Sequence, residues 1–63
     1  MKDDLYPSCI RLAISRGGIS ESMIQREFLI GYNRASRLIE ELVNDGAIGP
    51  RTPNSPMREY IGA

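Results

Sequence analysis

The sequence predicts a mainly α-helical winged helix-turn-helix, made of three helices and a small β-hairpin, and three features carry that prediction. Apolar residues recur at three- and four-residue spacing in three short segments, which is typical of amphipathic helices. A short glycine-containing break between the second and third segments is the outline of a helix-turn-helix. A proline-rich stretch between two short β-prone segments then predicts a hairpin. The chain, residues 1–63, is therefore interpreted as one winged-helix domain.

The first helix is predicted over about residues 5–15. Asp4 is predicted to be its N-cap, and Pro7 is tolerated because it falls in the first turn. The Gly17–Gly18 pair ends the helix, and Ile19 after it is interpreted as an extended segment of one or two residues. The apolar face of this helix is expected to contain Leu5, Tyr6, Cys9, Ile10, Leu12 and Ala13.

The second helix is predicted over about residues 21–28. Ser20 precedes it as an N-cap, and Ile24 and Phe28 form an inward-facing pair one turn apart. A compact break follows this helix. Gly31 is expected to provide the backbone freedom for the sharp turn into the third helix.

The third helix is predicted over about residues 32–45 and ends at Gly46, a favourable residue just beyond a helix C-terminus. The hairpin follows over about residues 47–61, where three prolines between 50 and 56 exclude regular structure at its tip. The apolar stripe of the third helix is expected to comprise Tyr32, Ala35, Leu38, Ile39, Leu42 and Val43.

A row of polar side chains lies opposite that stripe. Asn33, Arg37, Glu40 and Asn44 occupy positions i, i+4, i+7 and i+11, which at ~100° per residue places them within an arc of roughly 60°. Amide, guanidinium and carboxylate groups match base edges in a DNA major groove. We therefore predict that Asn33, Arg37 and Glu40 read bases. From spacing alone, an ordinary solvated helix face remains the alternative interpretation.

Other polar residues are predicted to contact the DNA backbone. They are Arg26, Arg34, Asn44, Arg51 and Arg58. Seven of the eight basic residues in the chain are arginine, the cation suited to bidentate contacts with phosphate or guanine.

Composition argues against several function classes. Eight basic and eight acidic residues give a net charge of zero, which weighs against nonspecific nucleic-acid binding. The chain has no histidine, and its single cysteine, Cys9, forms neither an internal disulfide nor a zinc site. Cys9 is expected to fill the core. No catalytic constellation or cofactor motif is present, so neither enzyme activity nor a cofactor nor a metal is expected.

The same composition bears on localisation. A small chain without a disulfide framework favours a reducing compartment. The sequence shows no signal peptide and no apolar run near the ~20 residues needed to span a membrane. The domain is therefore expected in the cytoplasm, without membrane contact of its own.

Two segments, Ile24–Phe28 and Ile30–Glu40, closely resemble the gamma domain of FtsK/SpoIIIE-type DNA translocases. The likeness extends from about Asp4 to Ile61 and includes Arg58–Glu59 near its end. It implies a winged helix at the C-terminus of a hexameric, ATP-driven, membrane-anchored motor. That domain binds double-stranded DNA at short, G-rich, polar sequences, which orient translocation during chromosome segregation and cell division.

The resemblance also implies roles for particular residues. The base-reading positions of the family correspond to Asn33, Arg37 and Glu40, the residues that helical geometry selects independently. In some members the domain also contacts a tyrosine recombinase. The proline-rich tip at 50–56 departs from the Gly/Asn-rich wing of the family. An alternative function is a protein-interaction winged helix that docks such a recombinase or a partner subunit without reading DNA.

Overall fold

The computed structural model describes residues 3–62. The elements follow in the order α1 (Tyr6–Arg16), β1 (Gly18–Ile19), α2 (Glu21–Phe28), α3 (Tyr32–Asn44) and β2 (Arg58–Glu59). The predicted fold class is confirmed, since the described chain is mainly helical with a small antiparallel sheet. Helix α2 has the predicted bounds, α1 is shifted by one residue at both ends, and α3 ends one residue earlier than predicted.

The sheet forms on both sides of β2. Strand β1 pairs with β2 in the antiparallel register Gly18↔Glu59. On the other side of β2, an isolated bridge joins Ile48 to Tyr60, and the Gly49 N–H donates to the Glu59 carbonyl at 2.9 Å. The predicted hairpin is thus present but narrow. The short extended segment after α1 is the more regular partner of β2.

The core lies between the helices and the sheet. Cys9 of α1, Ile19 of β1, Ile24 of α2, and Leu38 and Leu42 of α3 are fully buried. The expectation that Cys9 fills the core is confirmed. Burial raises the pKa of the Cys9 thiol to about 11, so the thiol is protonated at neutral pH.

Two predicted helix ends are confirmed in detail. The Ser20 side-chain oxygen accepts a hydrogen bond from the Met23 N–H at 3.2 Å, which caps α2. At the end of α3, Gly46 has φ +76°, and the Ala47 N–H donates to the Leu42 carbonyl at 2.9 Å. This is the Schellman arrangement, which satisfies carbonyls that the helix end leaves free.

Two other termini differ from the prediction. The N-cap position of α1 is Leu5, not Asp4. Asp3 supplies the carboxylate there, since its Oδ1 accepts the Leu5 N–H at 2.9 Å in a local turn that a residue two positions earlier can close. Before α3, the left-handed residue is Leu29 (φ 54°). Gly31 has φ −75° and is the N-cap of α3, a conformation open to any residue.

Strands β1 and β2 approach most closely at Gly18. A Cβ there would lie 2.7 Å from the Arg58 carbonyl oxygen, so Gly18→Ala forces the strands apart. We expect it to lower the free energy of unfolding by about 1–3 kcal/mol in a urea titration. Gly49→Ala is the matched control in the same sheet, because the atoms nearest to a Cβ at that position lie 3.8–3.9 Å away, at ordinary contact distance. Its expected effect is below about 0.5 kcal/mol, and equal effects of the two variants would contradict the close approach.

Candidate nucleic-acid interface

The polar row predicted on α3 is exposed along its length. The side chains of this row (Asn33, Arg37, Glu40 and Asn44) are all exposed, whereas Leu38 on the other side of the helix is fully buried. The buried side fixes how α3 is rotated relative to the core. The wing, which is the hairpin over about residues 47–61, does not cover the polar row. Amide, guanidinium and carboxylate groups are therefore presented together to solvent from one rigid helix.

A shallow groove of about 200 Å³ lies beside this row, between α3 and β2. Arg58 of β2 contributes to it, and the Arg58 Nε is buried without a hydrogen-bond partner among the described residues. A bound acceptor would satisfy such a donor. The structure thus brings together Glu40, Asn44 and Arg58, three residues that were predicted from the sequence to contact DNA. The groove is lined by Glu21, Ser36, Ile39, Glu40, Val43, Asn44 and Arg58.

Arg34, on the flank of α3, is held by a carboxylate. Its Nε donates to Asp3 Oδ2 at 2.8 Å, and its Nη2 donates to Asp3 Oδ1 at 2.7 Å. The bond from Arg34 and the bond from the Leu5 N–H lower the pKa of Asp3 to about 2. The pair ties the chain before α1 to the first turn of α3. Any phosphate contact by Arg34 would compete with Asp3.

A second contact ties α1 to the other end of α3. The Tyr6 hydroxyl donates to Asp45 Oδ2 at 2.6 Å. Burial, together with this bond, raises the pKa of Tyr6 to about 12. The two contacts thus join α3 at its first turn to the chain before α1, and at its C-terminal end to α1 itself.

The Asp3–Arg34 pair makes stability depend on acid pH. The pKa of Asp3 is about 2 in the folded protein, below its ordinary 3.8, so the ionised carboxylate favours folding. This contribution is fully present above about pH 4 and is lost as the pH falls towards about 2. Because the Arg34 side chain is 41% exposed, solvent screens the pair. We expect Asp3→Asn to lower the free energy of unfolding by about 1 kcal/mol at pH 7.

Urea titrations from pH 7 down to pH 2 check this expectation. The difference between wild type and Asp3→Asn should shrink to nearly zero at the acid end. Asp4→Asn, at the exposed neighbouring position, is the control and should match wild type at pH 7. A difference that stays constant over the whole pH range would rule out the ion pair as its source.

Tyr32 does not lie in the core, contrary to the prediction. Its side chain is 57% exposed. Around the helix, Tyr32 lies about 80° from Leu42, at the edge of the apolar stripe rather than at its centre. Val43 lies at the same edge and is also only partly buried. Ile39 lies only about 20° from Tyr32 around the helix and is buried, so the helical angle alone does not separate Tyr32 from the core. Tyr32 is the first residue of α3.

The remaining predicted cations are accessible. Arg26 on α2 and Arg51 in the wing are exposed. Within residues 3–62, no group of three His, Cys, Asp or Glu side chains is placed to hold a metal ion. None of the helices described over these residues has the length and apolar character to cross a membrane.

Comparison with known proteins finds similar segments within longer proteins. The family model described as "Ftsk gamma domain" matches residues 1–61. A DNA translocase FtsK of Listeria monocytogenes is 45% identical over 59 residues, which is 94% of this chain and 8% of that protein. The translocase FtsK of Halalkalibacterium halodurans is 41% identical over 61 residues, or 97% of this chain and 8% of that protein. That of Lactiplantibacillus plantarum is 37% identical over 59 residues, 94% of this chain and 7% of that protein. The chain therefore spans less than a tenth of these relatives.

Proposed function

The chain belongs to the FtsK gamma domain family, and from this we propose that it binds double-stranded DNA and reads short, G-rich, polar sequences. Such reading would orient a DNA translocase during chromosome segregation. The observation that carries the proposal is the exposed polar row on α3, opposite a buried apolar side. A helix held in this way can enter a major groove and present its free side to base edges.

Each of the three residues proposed to read bases has a base that suits its chemistry. The Arg37 guanidinium donates two hydrogen bonds to guanine O6 and N7, Asn33 pairs with adenine N6 and N7, and Glu40 accepts from cytosine N4. A carboxylate is a poor partner for phosphate, so Glu40 favours sequence reading over general adhesion to DNA. Each well-placed pair contributes about 1–3 kcal/mol of discrimination.

Backbone contacts position this row. We assign them to Arg26, Asn44, Arg51 and Arg58, which lie on α2, at the end of α3 and in the wing. Arg34 was expected in the same role, but its guanidinium is bonded to Asp3. With a net charge of zero, one copy has little electrostatic attraction for DNA. Useful affinity then comes from several copies on one site, as a hexameric translocase would supply.

The chain corresponds to the gamma domain and not to a catalytic domain. ATP-driven movement and membrane anchoring would reside in the remainder of a translocase such as the relatives named above. In this arrangement, sequence reading by the gamma domain would set the direction of translocation along DNA, and the motor would drive the movement.

A fluorescence anisotropy titration tests the proposed function. The purified chain is titrated against a labelled G-rich polar duplex and a scrambled duplex of the same composition, at two salt concentrations. We expect tighter binding to the G-rich duplex at both concentrations. Equal binding to the two duplexes would reject sequence reading.

A second candidate function is docking of a tyrosine recombinase or another protein partner. Two large apolar side chains favour it, because Leu29 is 89% exposed and Tyr32 is 57% exposed. Both lie at the turn into α3. Retention of a purified recombinase in a pull-down at high salt, with no duplex shift at low salt, would support this function over DNA reading.

A further inference from the structure

The bidentate Asp3–Arg34 pair lies on one flank of α3. Arg34 directly follows Asn33, which places it ~100° around the helix from the polar row. When a recognition helix lies in a major groove, its flanks face the sugar–phosphate backbones. A free arginine at this position would attract DNA of any sequence. The state of Arg34 therefore bears on specificity.

We propose that Asp3 is a specificity-determining residue, which keeps Arg34 in the bidentate pair both without and with DNA. The pair withholds this cation from the phosphates, so that base contacts by the polar row decide which sequences are bound. The inference rests on the proposed function. It assigns the Arg34 guanidinium to the ion pair with Asp3 in place of the phosphate contact that the sequence suggested.

The local geometry explains why the pair persists. Asp3 is already ordered, since its Oδ1 also accepts the Leu5 N–H and its carbonyl accepts the Tyr6 N–H, each at 2.9 Å. Arg34 therefore meets a carboxylate that needs no further ordering. A phosphate would offer Arg34 a similar charge-assisted bond. However, it would then lie beside the released Asp3 carboxylate, and the two negative charges would repel each other. Exchanging Asp3 for a phosphate therefore gives Arg34 no net gain in interaction free energy.

The salt dependence of DNA binding provides the test. Wild type, Asp3→Asn, Arg34→Ala and the double variant are titrated with the G-rich and scrambled duplexes over a series of salt concentrations. Asparagine retains an oxygen that can accept the Leu5 N–H but lacks the charge that holds Arg34. Circular dichroism spectra of the four proteins serve to check that each variant is folded.

Release of Arg34 in Asp3→Asn adds one phosphate contact. The slope of log K against log salt should steepen by about 0.9, and the scrambled duplex should bind about threefold to fivefold more tightly at low salt. The preference for the G-rich duplex should fall accordingly. Arg34→Ala should keep the wild-type slope, and the double variant should match Arg34→Ala.

Two results would overturn the inference. One is an unchanged slope in folded Asp3→Asn. The other is a slope reduced by about 0.9 in Arg34→Ala, because Arg34 would then contact phosphate in the wild type. If Asp3→Asn does not fold, the Arg34→Ala slope decides alone. Equal binding of wild type to both duplexes is a separate outcome, since it ends the proposed function itself.

Discussion

Leu38→Ala is expected to lower the free energy of unfolding by about 2–5 kcal/mol. Leu38 is fully buried on α3, and truncating it leaves a cavity in addition to removing apolar contact. At roughly 0.05–0.15 kcal/mol per residue, a domain of this size has only about 3–9 kcal/mol of stability in total. The substitution therefore removes a large fraction of it. Thermal and urea unfolding followed by circular dichroism measure the loss.

Ile14→Ala is the control for this variant. Ile14 is also apolar and helical, but its side chain is 55% exposed, so its truncation is expected to cost less than about 0.5 kcal/mol. If Leu38→Ala unfolded at the same urea concentration as Ile14→Ala, then α3 would not be anchored through its apolar side. The exposed position of the polar row would lose its structural basis.

The helices were predictable because their signals are local and redundant. Ser20 and Gly46 mark the start of α2 and the end of α3, and the apolar spacing between such ends indicates which side is buried. The pairing of β1 with β2 was not predictable in this way. A strand of two residues is too short to show a periodic pattern. The partner of Gly18 is Glu59, far along the chain. Only the assembled helices bring these segments together.

The candidate site was predictable only in part. Helical angles placed Asn33, Arg37 and Glu40 on one side, and all three are exposed; their roles in reading bases stay predictions. The partner of Arg34 had no sequence signal, because Asp3 is 31 residues away. Asp3 and Asp4 are adjacent carboxylates, so the backbone path before α1 had to be known before either could be assigned.

Arg37→Ala is expected to abolish discrimination at one base position while leaving the fold intact. Arg37 is exposed, so its loss should change the free energy of unfolding by less than about 0.5 kcal/mol. Loss of a bidentate guanine contact costs about 1–3 kcal/mol, or roughly 5- to 150-fold in preference for guanine over the other bases. Titrations with duplexes carrying each base at every position of the G-rich site measure this change. Lysine cannot make the bidentate contact, so Arg37→Lys should restore little of the preference.

Arg26→Ala is the matched comparison, since both variants remove one exposed arginine. If Arg26 contacts phosphate, its loss weakens binding to all duplexes alike and reduces the salt slope by about 0.9. If Arg37 reads a base, its loss acts mainly on duplexes that carry the preferred guanine. The two variants thus separate attraction to the backbone from recognition of sequence on one protein. Identical profiles for Arg26→Ala and Arg37→Ala would mean that the side chains on α3 contribute charge alone, and the polar row would not be a reading surface.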